Sequence, residues 1–178
     1  MAGLLFLALA YLAVGQASVN RSGAQTAADA AALAAAQEAR DQLTGLWLDE
    51  LRDPAKWGDI LGGKAPIDDP CWRAGQLAAQ NDARLDGCVP LPPLRYKTEV
   101  TTNKSVGDSV VPATEDIHST ASAVAEIQPL CTFPPLGEDS GSETLPELTC
   151  DGKPWKLDPE DAAGLPKPED LFDVHLAD

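Results

Sequence analysis

Residues 2–15 (AGLLFLALAYLAVG) carry no charge, and the apolar run extends through Val19 before Asn20 and Arg21. A bilayer core needs roughly 20 apolar residues in helical form, so residues 1–20 read first as a transmembrane helix of minimal length, with a cleaved signal peptide (small-x-small at Gly15-Gln16-Ala17) and a buried helix as the alternatives. No proline follows. Residues 24–39 (AQTAADAAALAAAQEA) hold ten alanines in sixteen positions, and alanine is the strongest helix former. The pattern predicts one continuing rod, an Ala-rich stalk over 21–52, closed by Asp53-Pro54. Ala27, Ala31 and Ala35 recur every four residues, as do Ala28 and Ala32. Such small stripes let another element approach closely.

Further on, residues 54–70 are rich in Pro and Gly and read as a loop. A helix is expected from Pro70 to near Asn81, then a short strand over 84–89. Residues 94–101 (LRYKTEVT) alternate, with Leu94, Tyr96, Thr98 and Val100 on one face. A weaker strand is expected over 106–111. Residues 120–128 (TASAVAEIQ) alternate again, with Ala121, Ala123, Ala125 and Ile127 together. Small residues there suit a sheet on which a helix lies tightly. The fold class expected is therefore α+β: a long N-terminal helix leading to a small antiparallel sheet with a packed helix, over 53–131. Residues 138–178 contain 12 Asp+Glu, 3 Lys and five Pro. Residues 132–178 accordingly read as an irregular acidic tail, with Trp155–Leu157 and Leu171–Leu176 as pieces able to dock.

Charge narrows the partners. The 178 residues hold 13 Lys+Arg against 28 Asp+Glu, a formal net charge of −15, which argues against nucleic acid. The four cysteines, Cys71, Cys88, Cys131 and Cys150, have no CxxC spacing and do not suit a zinc site. Four cysteines allow three pairings. The favoured one is Cys71–Cys88, stapling helix to strand, with Cys131–Cys150, tying the tail to the sheet. Disulfides persist in oxidising compartments, so a head carrying them is expected outside the cytoplasm.

Chemistry is sparse. Gly58 to Lys64 matches the start of a phosphate-binding loop, but Ala65 stands where a Ser or Thr is needed. Asp139 to Glu143 only approaches a metal-binding D-x-S-x-S pattern. His118 and His175 are isolated. Trp47, Trp57, Trp72 and Trp155 suit core anchoring better than a sugar platform. No catalytic residue, cofactor or metal site is expected.

The segment QASVNRSGAQTAADAAALAAAQEARDQL, directly after an apolar run, resembles the N-terminal signature of the TadE/TadG-like proteins of bacterial Tad (Flp) pilus assembly. The A-A-D-A-A-A-L-A-A-A core of that signature is Ala27 to Ala36 here, with Asp29 at the family's acidic position. The later TASAVAEIQPLC strand fits the short, single-pass members. The resemblance implies a pilin-like, non-enzymatic assembly component, anchored in the cell membrane with its C-terminal domain extracytoplasmic. Its partners would be other pilus, pseudopilin or assembly-platform proteins, met through the N-terminal helix at Ala27, Ala28, Asp29, Ala31, Ala32 and Ala35. Prepilin-type cleavage wants Glu at the fifth position after a Gly, and Ala8 and Asn20 stand there instead. An extracytoplasmic binding module, an adhesin or a sensor of cations or glycans, is the alternative reading.

Overall fold

The computed structural model describes residues 2–105, 117–135 and 145–177, with the side chains at 2, 5, 6, 8–10, 12–14, 16 and 17 left aside. The strand expected over 106–111 and the near-motif at 139–143 lie outside the described residues. Helix α1 runs unbroken from Ala2 to Asp49, 48 residues. No boundary separates the expected span from the expected stalk. Helix α2 (Pro54–Leu61) and helix α3 (Cys71–Gln80) follow. Strands β1 (Ala83–Leu91), β2 (Arg95–Ser105) and β3 (His118–Pro129) form an antiparallel meander.

The rest of the chain departs from the expected irregular tail. Strands β4 (Cys131–Thr132), β5 (Leu148–Cys150) and β6 (Lys153–Trp155) make a second small sheet. A short helix α4 (Pro168–Leu171) leads into strand β7 (Phe172–Leu176), which joins the main sheet in the order β1-β2-β3-β7. The acidic segment is thus part of the fold. Its charges sit on the outer positions while Leu171 and Phe172 are buried.

Alanine decides how α1 meets the sheet. Ala24, Ala27, Ala28, Ala31, Ala32, Ala35, Ala36 and Ala39 have no exposed surface. They pack on β2, β3, β7 and α3, opposite the inward residues Thr98, Val100, Ala123, Ala125 and Ile127. With methyl groups alone between them, backbone and strand approach closely enough for the buried Thr98 hydroxyl to donate to the Ala28 carbonyl at 3.0 Å. Such a seam has no room for bulk. Ala31→Leu is expected to destabilise the protein by about 1–3 kcal/mol through overpacking, read as a lowered urea midpoint. An unchanged midpoint would mean that the helix rests loosely on the sheet.

At the far end of α1 the core changes character. Trp47 and Trp57 are fully buried with ring centroids 5.3 Å apart, and Phe133 meets Trp57 edge-on at 5.5 Å. The Trp57 indole N–H donates to the Glu50 carbonyl at 3.2 Å, satisfying one of the carbonyls left free at a helix C-terminus. Gly63 closes the turn after α2 at φ 68°, where an added Cβ would strike the Leu94 side chain. Only glycine meets both demands.

Both favoured cysteine pairs are bonded. Cys71–Cys88 joins the start of α3 to β1, and Cys131–Cys150 links directly paired residues of β4 and β5.

Candidate assembly surface

The head ends where α1 leaves the sheet. Among the described side chains Ala24 is the first to be fully buried, and the Asn20 amide donates to the Lys104 carbonyl at 3.3 Å. Before that point the helix projects as an arm of about 27 Å, eighteen residues at 1.5 Å each. Its described large side chains are open: Leu4, Leu7, Tyr11 and Val19 are 65–84 % exposed. Residues 2–20 contain no charged group, and Arg21 marks the base of the arm. An apolar arm of this kind wants apolar surroundings. Among the described residues no helix is long and apolar enough to cross a membrane, so the structure does not carry the expected transmembrane assignment of 1–20.

The expected stripe of assembly contacts is placed differently. Ala27, Ala28, Ala31, Ala32 and Ala35 face this chain's own sheet and α3, and their surface is spent there. A second helix cannot reach them without displacing the sheet. The small-residue spacing was a true packing signal, but its partner lies within the chain. Asp29 differs: it is half-buried, accepts from Gln25 Nε2 at 2.7 Å, and lines a cleft of about 300 Å³ with Gln25, Arg95, Ser122, Leu176 and Ala177.

The outer face of the main sheet is polar. Arg95 lies 3.6 Å from Glu126 across the strands, and Lys97 pairs with Glu99 at 2.7 Å. The Asp86 carboxyl is held below the usual carboxylate range, first by the Thr101 hydroxyl and then by Arg84. Lys56 is raised by its bond to Glu50, with Asp53 adding to it. Burial pushes the Tyr96 hydroxyl up, helped by the charge of Asp69. The ion pairs among these are exposed and contribute little each.

His118 Nδ1 meets the Thr102 carbonyl at 2.8 Å, and His175 Nδ1 meets Asp173 at 2.9 Å. Among the described residues no group of three His, Cys, Asp or Glu could hold a metal ion. The resemblance of Gly58–Lys64 to a phosphate loop dissolves, because Gly58 lies inside α2 and Lys64 follows the helix rather than opening one. Trp72 is half-exposed, with the Arg73 guanidinium 5.7 Å from its ring.

Residues 1–38 match the family model described as putative Flp pilus-assembly TadE/G-like. The matched stretch covers the arm and all of the alanine seam but Ala39, about a fifth of the chain. No curated protein and no solved structure matches the chain. The similarity therefore coincides with the segment that projects and with the point where it enters the head. Sequence reasoning found this region from its apolar run and its alanines. It marked Leu171–Leu176 as able to dock but not as the strand β7, whose end shares the cleft with Asp29. The alternation of Phe172, Val174 and Leu176 was the available signal.

Proposed function

We propose that this protein is a structural, non-enzymatic component of a Tad (Flp)-type pilus or a related envelope assembly. In this reading the apolar arm anchors it in the cell membrane as a single pass, and the disulfide-bonded head lies outside the cytoplasm. The observation that supports this most directly is the exposed apolar arm coinciding with the TadE/G-like match. The two disulfides add a compartment argument, since cytoplasmic thiols are kept reduced. The alanine seam is occupied within the chain, so contacts with partner helices fall to the arm and not to Ala27–Ala35.

Cell fractionation with thiol mass-tagging tests both halves. The expected result is a protein in the membrane fraction that takes no tag before reduction and four tags after it. Leu4→Asp with Leu7→Asp should release it to the soluble fraction with its disulfides intact. Four tags without reduction would place the head in a reducing compartment and overturn the reading. Retention of the doubly charged variant in the membrane would remove the arm from the argument.

A further inference from the structure

The outer edge of β7 is open among the described residues: the sheet order ends there. The hydrogen bonds fix its phase. Ala177 N donates to the Val124 carbonyl and Leu130 N to the Leu171 carbonyl. With the register Ile127–Val174, residues 173, 175 and 177 address β3. The N–H and C=O groups of Val174 and Leu176 therefore point away from the sheet. The other edge is guarded, since β1 carries Pro90 and a register shift between Leu85 and Gly87. β7 has no proline, no lysine and no register shift, so it lacks the proline, lysine and bulge that blunt many edges.

We propose that this edge accepts an extended strand from a partner protein, with basic and apolar residues alternating along it. The side chains of β7 set that pattern. On the outer face, Asp173 and His175 stand beside Glu126 and Gln128, which they oppose in register. On the inner face, Val174 is half-buried and Leu176 is 38 % exposed, both beside the buried Ile127 and Ala125. From Glu169 to Ala177 there are three carboxylates and no Lys or Arg. Past Leu176 the edge opens into the cleft that holds Asp29 and Arg95, the latter 3.6 Å from Glu126. An added strand would thus meet acidic groups on one side and apolar surface on the other.

A second copy fits less well, and this step rests on the membrane reading. Antiparallel pairing of β7 with itself requires a two-fold axis through the sheet. That axis reverses α1, which lies on the sheet, so the two arms could not enter one membrane from the same side.

The test uses the full chain in detergent with two synthetic peptides, acetylated Lys-Val-Lys-Val-Lys-Val-Lys and its counterpart with Gly in place of Val. Amide exchange is followed at Val174 and Leu176. The Val peptide should protect both amides and the Gly peptide should not. Val174→Pro removes only an outward N–H, a substitution an edge strand tolerates, and should weaken binding about tenfold. Leu176→Pro is the second variant if the first loses its fold. Amides unprotected by the Val peptide, or binding unchanged in the proline variants, would overturn the proposal. So would protection already present without peptide: in a dimer it would assign the edge to a second copy, in a monomer to this chain itself. None of these readouts depends on where the protein resides in the cell, so failure here is distinct from failure of the anchoring reading.

Discussion

Reduction of both disulfides is expected to lower the stability of the head by about 6 kcal/mol, roughly 3 for each loop of this length. The two bridges close separations of 17 and 19 residues, long enough to restrict the unfolded chain substantially. The core gives reason to expect that such losses matter. Much of the buried surface belongs to alanine, and Trp47, Trp57 and Phe172 are the only aromatics among the largest fully buried side chains. A buried methyl group contributes about 0.8 kcal/mol, so the eight alanines of the seam do not replace the leucines of an ordinary helix face. Since a typical domain holds only about 5–15 kcal/mol in reserve, the reduced protein should lie near its unfolding threshold. Urea titration of tryptophan fluorescence, with and without reductant, reads this directly. The paired variants Cys71→Ala/Cys88→Ala and Cys131→Ala/Cys150→Ala should each show about half of the effect. A midpoint indifferent to reductant would show that the alanine seam suffices by itself.

The parts of this fold that were legible share a cause: their signals are local and periodic. The inward row Leu94, Tyr96, Thr98 and Val100 is buried as its alternation implies, and so are Ala123, Ala125 and Ile127. The favoured cysteine pairing followed from where the helix and strands end, and it holds. Helix α2 was hidden by its composition. Pro and Gly suggested a loop, yet Pro54 sits at the first turn, where its missing N–H costs nothing. Trp57, Ile60 and Leu61 then repeat at helical spacing and are buried. The C-terminal segment was masked by charge. Asp151-Gly152, both at positive φ, form the two-residue turn between β5 and β6, a strong hairpin signal. Its acidity describes one face of a folded segment. The partner of the alanine stripe was beyond local reading, because small residues at every fourth position say that something comes close without saying what. Here the answer is α3 and the strands β2, β3 and β7, all distant in sequence.

Trp47→Ala should cost about 3–5 kcal/mol, whereas Trp72→Ala should stay within about 0.5 kcal/mol. The contrast follows from place. Trp47 is fully buried against Trp57 at the last turn of α1, and the cluster continues to Phe133 beyond β4. Trp72 is half-exposed on α3. Removing Trp47 opens a cavity at the one point where α1, α2 and the chain after β4 share large side chains, with alanines farther up the helix unable to refill it. The Trp47 indole N–H has no hydrogen-bond partner among the described residues, so Trp47→Phe loses volume but also relieves an unpaired donor. Its cost should be less than half that of the alanine variant. Urea titrations of the three variants give the comparison, with circular dichroism to follow unfolding as tryptophans are removed. Equal losses for Trp47→Ala and Trp72→Ala would mean that the aromatic cluster does not anchor this end of the helix. The alanine seam and the disulfides would then carry the attachment of α1 to the head, and with it the direction in which the arm projects.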